Sequence, residues 1–319
     1  MTQTSAYRLE IDGLRAVAVL SVVVFHFFPQ LLKYGYLGVD IFFVISGFLI
    51  STHLLSVEGG NTLIVLKSFY TRRIKRLFPA LFFFLALSHI FVSNFFLPVD
   101  VGNFEDSLLA SYTFWANVYF WRDGGYFGGN DQLKPLLHIW SLSVEEQFYL
   151  FFPIFLLISV KLRRFVKPSL EFAVLLVTIF SFILWLFLHH IGGANPAFFL
   201  LPTRIWQFGT GAILAVIASR SFGQLIPASW GLAFFIASLI AILSAFLLDI
   251  DSQLQTFLVT IGAVGFIASS TAQTSVLLSV FRSGLLVFFG KISYSLYLYH
   301  WPVAVALTYY FVDGVPTLF

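Results

Sequence analysis

The sequence predicts an all-α, polytopic membrane protein with about nine to ten transmembrane helices in one bundle. Three observations predict this class. Hydrophobic residues make up 59% of the 319 residues and charged residues only 10%, whereas a soluble domain has about 25% charged residues. The apolar residues occur in runs of about 20, the length that crosses a bilayer as a helix. These runs are too long for the strands of a membrane barrel and lack their period-two alternation.

Nine apolar runs are long enough to cross the membrane, and one aromatic stretch between the third and fourth is different. This stretch, Phe104–Trp121, is interrupted by Asn117, so we expect an amphipathic helix lying at the membrane surface. The predicted spans are, in chain order, Leu14–Phe28, Leu37–Leu55, Leu77–Leu97, Leu136–Val160, Phe172–Leu188, Ala197–Ala218, Ile226–Leu248, Leu254–Ser270 and Leu285–Phe311.

Lys and Arg residues concentrate in alternate loops between these spans. The predicted loops 67–76 and 161–167 are strongly basic, whereas acidic residues dominate the loop 100–134. Because basic loops stay in the cytoplasm, the N-terminus is predicted to be cytoplasmic and the loop 100–134 extracytoplasmic. This orientation accounts for the net charge of +3, and no nucleic-acid-binding module is recognisable, so we expect no nucleic-acid partner. The chain has no Cys, which excludes disulfides, Cys-ligated metals and thiol nucleophiles.

Ionisable side chains inside a membrane are costly and usually functional, and the first two spans carry three of them. Arg15 and His26 are eleven residues apart, which places them on one helix face about 16 Å apart along the axis. Asp40 of the second span reaches a depth similar to that of His26, where a carboxylate would orient the imidazole and raise its basicity. Two alternatives remain open: Arg15 could snorkel to the headgroups, and Asp40 could cap its own helix.

The fourth span carries polar residues at helical spacing. His138, Ser141, Glu145 and Tyr149 share one face, and Glu145 lies about 13 Å from the predicted outer end. Arg204, in the outer half of the sixth span, is a candidate partner for that carboxylate. A functional site and a structural Glu–Arg pair are both consistent with this pattern.

His300 in the ninth span also lies in the predicted outer half, about 22 Å from the cytoplasmic end. A hydrogen bond at headgroup level is the alternative to a role in the reaction. Polar groups from four spans therefore reach one depth, which predicts a buried polar site. No set of residues with metal-ligand spacing is present, and no metal is expected.

Five sequence blocks, taken together, resemble the acyltransferase-3 family of integral membrane proteins, of the O-antigen and polysaccharide O-acetylase type. They occur in order and span nearly the whole chain. The blocks are Ile11–Val19 with His26, Gly38–Ile50, Arg73-Ile-Lys-Arg76 with Pro79, Trp140–Tyr149, and Lys291–Pro302.

The resemblance implies one acyltransferase domain over residues 1–319, placed in the bacterial inner membrane. It implies an O-acyltransferase that moves an acyl group, usually acetyl from acetyl-CoA, across the bilayer. The implied acceptor is a hydroxyl of a glycan or lipid-linked glycan, in lipopolysaccharide O-antigen, peptidoglycan or exopolysaccharide. The blocks look most like the subgroup with a fused extracytoplasmic SGNH domain. That domain is absent here, which implies a truncated chain or a separate SGNH partner.

The resemblance implies roles for particular residues. Arg15 and His26 form the essential pair, and Arg73 and Arg76, with the neighbouring Arg72, meet the CoA phosphates. We expect Asp40 and Glu145 to assist catalysis. The residues expected at the acceptor are His138, Ser141, Tyr149, Arg204 and His300.

The chemistry of the residues is consistent with these roles. Arginine forks suit the phosphates of CoA. His26 could act as the general base for the attacking hydroxyl, or it could accept the acyl group and pass it outward, and the sequence does not choose between them. Two other classes remain: a transporter with a proton or solute pathway, and a scaffold without chemistry.

Overall fold

The computed structural model describes residues 7–56, 61–124, 133–162, 170–220, 226–272 and 275–310. Within these residues the structure has α-helices joined by turns, a 3₁₀ turn at Gly35–Leu37, and no β-strand. The helices are α1 (Leu9–Phe27), α2 (Gly38–Ser56), α3 (Thr62–Phe95), α4 (Pro98–Tyr112), α5 (Ala116–Arg122), α6 (Ile139–Leu162), α7 (Leu170–His190), α8 (Ala194–Phe199), α9 (Leu201–Arg220), α10 (Ala228–Leu247), α11 (Ser252–Ser269), α12 (Val276–Phe281) and α13 (Gly284–Tyr310).

The predicted all-helical membrane class is confirmed, and each predicted span coincides with one or two helices. Seven segments of the described chain are long and apolar enough to cross a membrane, by length and composition. Their outward faces carry large apolar side chains, such as Phe180 of α7, which is 68% exposed, and Ile240 of α10, which is 58% exposed. Lipid, rather than protein, therefore covers these faces. The exact number of crossings and the cytoplasmic N-terminus stay predictions.

The chain divides into two compact units. Unit 1 consists of Met1–Ile45 and Ile217–Tyr297, and unit 2 consists of Ser46–Val216 and Leu298–Phe319. The boundaries fall inside α2, α9 and α13.

Two glycines let α1 pack closely within unit 1. A Cβ atom on Gly13 would collide with the backbone carbonyl of Phe281 in α12, and one on Gly290 of α13 would collide with the carbonyl of Asp12. Small residues permit such close helix contacts in membranes, where packing rather than hydrophobicity drives association. Gly13 belongs to the first sequence block, so this part of the block has a packing role.

In unit 2, aromatic stacking joins α6 to α9. The ring of Phe148 stacks on Phe208 with centroids 4.2 Å apart, and on Phe152 one turn further along α6 at 4.5 Å. Gly47 of α2 lies directly against the backbone of Phe208, where a Cβ atom has no room. These contacts bring α2, α6 and α9 together around the polar residues described below.

The basic segment 67–76, predicted as a loop, is helical. It forms part of α3, a single helix of 34 residues that begins after the N-cap Asn61, whose side chain accepts a hydrogen bond from the Leu63 amide at 3.0 Å. The prediction was wrong because the apolar periodicity continues through the charges. Val65, Phe69 and Leu77 are spaced by whole helical turns and are all buried.

The aromatic stretch predicted to lie flat at the surface is instead a helical hairpin of α4 and α5. The Phe104 ring lies 6.4 Å from His89 of α3, and the Phe114 ring lies 5.2 Å from Phe78, so α4 runs antiparallel along α3. The break falls at Phe114, whose φ of 58° is in the left-handed region, and Asn117 lies inside α5. The prediction of a surface helix was therefore wrong in both its course and the position of its break.

The predicted sixth span is divided into α8 and α9 at Leu200, which has extended backbone angles. Pro202 explains the break, because its ring would collide with the carbonyl of Phe198 in a continuous helix and it has no N–H to donate. The freed carbonyls are used elsewhere: the Thr203 hydroxyl donates to Leu200 O at 2.7 Å, and Arg204 Nε donates to Phe198 O at 2.8 Å.

Candidate active site

Four polar side chains from three helices of unit 2 meet, and we call them the Glu145 cluster: Ser46 of α2, Arg73 of α3, and Glu145 and Tyr149 of α6. The hydroxyls of Ser46 and Tyr149 both donate hydrogen bonds to Oε1 of Glu145. The two hydroxyl oxygens lie 2.9 Å apart. Glu145 and Tyr149 are one helical turn apart, so both side chains reach the same point.

Arg73 adds a positive charge to the cluster. Its Cζ atom lies 4.0 Å from the centroid of the Tyr149 ring and 5.7 Å from that of Phe69. The face of an aromatic ring holds a stacked guanidinium in place. The N–H groups of the guanidinium lie in its own plane and remain available to bind an anion. The cluster thus combines a carboxylate, two hydroxyls and a guanidinium, which is the chemistry needed to hold an anion and orient a hydroxyl group.

The other two arginines of α3 that were predicted to contact CoA lie outside the cluster. Arg72 contacts Nε2 of His53 in α2, and both Arg72 and Arg76 are exposed to solvent. Arg73 and Arg76 are three residues apart on one helix, so their side chains are neighbours on its surface. At the basic end of α3, Arg73 is therefore half-buried in the cluster, and Arg72 and Arg76 lie beside it on the exposed surface of the helix.

His138 and His300 form a second polar group of unit 2, which we call the histidine pair. Both side chains are buried, and their ring centroids are 5.6 Å apart in an edge-to-face arrangement. His138 Nε2 lies 3.0 Å from the carbonyl oxygen of Leu298, within hydrogen-bonding distance. Ser141 donates its hydroxyl to the His138 carbonyl at 3.3 Å, so it braces the start of α6.

The polar residues of unit 2 thus form two groups rather than one. Glu145 follows His138 by seven residues, which is two helical turns or about 10 Å along α6. The expectation of a single depth for these residues was wrong. Sequence spacing gave the shared face correctly, but depth depends on where the neighbouring helices begin. Helix α3 brings Arg73 to the Tyr149 ring and Phe84 to His138.

Arg204 contacts the end of α8 and the Trp140 ring, and its predicted pairing with Glu145 stays a prediction. Its Nε donates to the carbonyl of Phe198, and its guanidinium lies 5.0 Å from the Phe198 ring centroid and 5.8 Å from that of Trp140. The break between α8 and α9 provides this acceptor, and a break of that kind was not predicted.

The predicted catalytic residues Arg15, His26 and Asp40 all belong to unit 1. Arg15 Nη1 lies 3.7 Å from Oδ1 of Asp12, one turn earlier in α1. The His26 side chain is half-buried beside the Phe25 ring, with centroids 4.9 Å apart. Asp40 is buried and is the third residue of α2, so it is not the cap of that helix, although its charge is favourable in the first turn.

A buried carboxylate fixes the N-terminal end of α1 ahead of the apolar span. Glu10 accepts hydrogen bonds from Arg8 Nε at 2.8 Å and from Arg282 Nε at 3.0 Å. Arg8 also donates to the Ser270 hydroxyl and the Ile267 carbonyl. Burial opposes ionisation of Glu10, but the hydrogen bonds from the two arginines lower the pKa of its carboxyl overall.

Two amides of unit 2, the buried Asn117 and the half-buried Gln147, were not predicted to have a structural role. Gln147 of α6 donates to the Phe114 carbonyl and to the Asn117 side chain, both at 2.8 Å. Asn117 donates to the Phe199 carbonyl at 3.1 Å. Backbone that leaves a helix inside a membrane protein requires such partners. A single amide in an aromatic stretch could have indicated a buried hydrogen-bonding role for Asn117. Instead, Asn117 was interpreted as an interruption of the helix.

Ser46 was also missed as a member of the candidate site. A hydroxyl in an apolar helix often bonds to its own backbone, so its presence alone was a weak signal. Among the described residues, no group of three or more His, Asp, Glu or Cys side chains converges in the way that a metal ion requires.

Comparison with known proteins agrees with the sequence blocks. The model of the acyltransferase-3 family, described as an acyltransferase domain, matches residues 8–319. A protein named "Putative O-acetyltransferase SAS0844", from Staphylococcus aureus strain MSSA476, is 34% identical over 324 residues. O-acetyltransferase OatA from Staphylococcus aureus strain NCTC 8325 / PS 47 is 31% identical over 315 residues.

These alignments cover 97% and 95% of this chain, respectively, and 52% of each relative. The chain therefore spans about half the length of the curated relatives it matches. No solved structure gives a significant match.

Proposed function

Because the chain belongs to the acyltransferase-3 family, we propose that it transfers an acetyl group from cytoplasmic acetyl-CoA to a hydroxyl of an extracytoplasmic glycan. The observation that carries the proposal is the Glu145 cluster. There Arg73, from the basic end of α3, stacks on the Tyr149 ring, and the hydroxyls of Tyr149 and Ser46 donate to the Glu145 carboxylate. The names of the relatives support acetyl as the transferred group.

The donor side of the proposed reaction uses the arginines. CoA carries phosphates, which planar guanidinium forks bind in a bidentate way. Arg73 is stacked on Tyr149 and so is pre-oriented, while Arg72 and Arg76 are exposed where they would first meet the nucleotide. Arg15 is the fourth proposed CoA contact, near the end of α1 that is predicted to be cytoplasmic.

His26 is the proposed centre of the transfer step, with two routes. As a general base, it takes the acceptor's proton while the acceptor oxygen forms a bond to the thioester carbonyl carbon and the carbon–sulfur bond breaks. The proton then passes to the CoA sulfur. As a carrier, its ring nitrogen forms the bond to the carbonyl carbon first, CoA leaves as the thiol, and the acetyl group then moves to the acceptor oxygen. Asp40 and Glu145 are proposed to orient the groups involved.

The acceptor side is proposed to face away from the cytoplasm in the bacterial cytoplasmic membrane. His138 and His300 supply nitrogen donors and acceptors there, and Ser141, Tyr149 and Arg204 are the other proposed acceptor contacts. Because the relatives are about twice as long, we propose that a further region, such as an SGNH domain, acts with this chain on the final glycan.

The test compares cells with and without the intact gene by mass spectrometry of surface glycans. A mass increase of one acetyl group per modified sugar is expected only with the gene. The donor step is followed separately in proteoliposomes as release of CoA thiol, which a thiol reagent detects cleanly because the protein has no Cys.

The matched variants are His26→Gln and His190→Gln. Gln keeps a hydrogen-bonding group but takes no proton, so His26→Gln should lower the rate by about 10²–10⁴-fold. Asp40→Asn should cost less because it changes orientation only. His190 is an exposed residue at the end of α7, and its variant should retain full activity. Transfer by His26→Gln within a few-fold of wild type, or solute flux without acetylation, would contradict the proposal.

A further inference from the structure

Two buried carboxylates lie in the first turn of α1, and the proposed function uses neither of them. Glu10 and Asp12 are 4% and 6% exposed, respectively. They are two residues apart, so their side chains leave the helix about 200° apart and meet different neighbours. In the described parts of α1, α12 and α13 and the residues that flank them, the other charged side chains at this end of unit 1 are Arg8, Arg15, Arg282 and Lys291.

Glu10 has a structural role that its hydrogen bonds define. It accepts from Arg8 and from Arg282, the residue that ends α12, and Arg8 also donates to the end of α11. Lys291 of α13 is exposed, and its Nζ atom lies 6.0 Å from the centroid of the Tyr7 ring. The contacts of Glu10 therefore tie α1 to its neighbours in unit 1.

Asp12 has contacts at both of its carboxylate oxygens. The Tyr7 hydroxyl donates to Oδ2, and Oδ1 lies 3.7 Å from Nη1 of its ionic partner Arg15, one turn later in α1. A Cβ atom on Gly290 would collide with the Asp12 carbonyl, so α13 fixes the backbone at this residue. The Asp12 carboxylate therefore lies at a fixed point beside the Arg15 guanidinium.

Such a carboxylate has two opposite effects on the binding of an anion by Arg15. The Arg15 side chain is only 16% exposed, so neighbouring charges are weakly screened. A mobile arginine loses rotamer freedom when it binds, which weakens binding by a factor of about two to ten, and a carboxylate that already orders it removes part of this loss. The carboxylate also repels the anion. Because the Tyr7 hydroxyl and Arg15 itself offset the charge of Asp12, we expect the ordering effect to be the larger.

We propose that Asp12 is a positioning residue that holds the Arg15 guanidinium ready for a phosphate of the donor. This inference rests on the proposed function, in which Arg15 contacts CoA, and it gives a role to a carboxylate that the proposed reaction does not use. An acid three residues before an arginine on one helix reaches it directly. When the phosphate binds, Arg15 turns part of its planar fork to it, and Asp12 keeps the hydrogen bond from Tyr7.

The test measures binding of CoA, which needs no turnover, to the full chain in nanodiscs by titration calorimetry. Asp12→Asn keeps the shape of the side chain and an oxygen that can accept from Tyr7, but it removes the charge that holds Arg15. Affinity for CoA should fall about three- to tenfold. In the CoA-release assay, the KM for acetyl-CoA should rise by the same factor while kcat stays unchanged, because the variant alters the anchoring of the donor and not the transfer step.

Glu10→Gln is the matched control, because it removes the other buried carboxylate from the same helix turn. Glu10 is bonded to Arg8 and Arg282, so its variant should lower the unfolding midpoint and leave the CoA affinity of the folded protein unchanged. A double-mutant cycle adds Arg15→Gln. In that background Asp12→Asn should not weaken CoA binding further, because Asp12 acts through Arg15.

Two further variants of Asp12 separate its charge from its shape. Asp12→Glu restores the charge and should bind CoA within about twofold of wild type. Asp12→Ser repeats the loss of charge with a smaller side chain and should match Asp12→Asn, which keeps the test valid if the amide does not fit the buried position.

Modification of arginines by phenylglyoxal, mapped by peptide mass spectrometry in the absence of CoA, reports on Arg15 itself. The reagent must displace the carboxylate, so Arg15 should react several-fold faster in Asp12→Asn than in wild type or in Glu10→Gln. The inference is overturned if Arg15 reacts equally fast in all three proteins. It is also overturned if Asp12→Asn binds CoA as tightly as wild type or more tightly, because the repulsion by Asp12 then dominates. Absence of CoA binding and release in the wild type would defeat the proposed function, while the modification rates still decide whether Asp12 holds Arg15.

Discussion

Because Ser46 and Tyr149 donate to the same carboxylate oxygen of Glu145, we expect removal of either hydroxyl group to lower the rate of the donor step. Tyr149→Phe removes the hydroxyl that donates to Glu145 but keeps the ring on which Arg73 stacks at 4.0 Å. Ser46→Ala removes the second donor to the same oxygen. Each variant should therefore disturb the carboxylate and leave the guanidinium in place.

The magnitude follows from the hydrogen bonds that are lost. A hydrogen bond to a charged group contributes about 1.5–3 kcal/mol, whereas polar contacts between membrane helices average about 0.6 kcal/mol. A value of about 1.4 kcal/mol lies between them and corresponds to a tenfold lower rate of CoA release. The KM for acetyl-CoA should stay unchanged in Tyr149→Phe because the cation–π contact of Arg73 remains.

The double variant tests whether the two hydroxyls act through one group. Since both donate to Oε1 and their oxygens are 2.9 Å apart, the remaining hydroxyl can compensate in each single variant. The effects should deviate from additivity by more than about 0.5 kcal/mol. Tyr70→Phe is the matched control, because its hydroxyl donates to the Leu150 carbonyl on an exposed surface. Additive effects, or a tenfold loss in the Tyr70 control, would refute a role for the shared carboxylate.

The remaining predictions concern topology, the donor and the end of α1. Single cysteines at Lys67 and Asn103, both exposed, should react with an impermeant thiol reagent in intact cells only at 103, and the reverse pattern would reject the orientation. Arg73→Lys should weaken acetyl-CoA binding more than Arg76→Lys, measured by titration calorimetry, because Lys has no planar fork to stack on the ring; equal effects would place both arginines at the surface. Glu10→Gln should lower the unfolding midpoint, since a lost charged hydrogen bond costs about 1.5–3 kcal/mol. Because the folded pKa of Glu10 is lowered, its contribution is present above the unfolded value of about 4.3 and is lost as pH falls through the folded value, so the difference between variant and wild type should shrink in acid.

The sequence predicted the helical class and the position of most spans because apolar runs of membrane length leave few alternatives. It failed where polar groups or proline alter a helix. The prediction assigned the basic residues of α3 to a loop and only its apolar part to a helix. Val65 and Phe69 nevertheless continue the buried face of the apolar part. The break before Pro202 and the turn at Phe114 depend on acceptors and donors from other helices, and spacing within one segment does not contain that information.

The candidate site was predictable in part for the same reason. The face shared by Glu145 and Tyr149 is a local property of α6, and their side chains do share a hydrogen bond. The contact of Arg73 with the Tyr149 ring was not predictable, because Arg73 reaches that ring only if the basic segment is helical. The α4–α5 hairpin was equally hidden, because its turn at Phe114 depends on a hydrogen bond from Gln147 of α6.

The length of α3 has a consequence for the apparent affinity of the protein for its proposed donor. Its 34 residues extend about 51 Å, whereas the hydrocarbon core is about 30 Å thick, so even a steeply tilted α3 projects beyond it. By the predicted orientation, the projecting end is the basic one, and it lies among the cytoplasmic headgroups. Anionic lipids would then compete with acetyl-CoA, the proposed donor, for the same arginines within a Debye length of about 8 Å. Apparent donor affinity should consequently vary with the lipid composition of the cytoplasmic leaflet, which would make the membrane itself a competitive inhibitor.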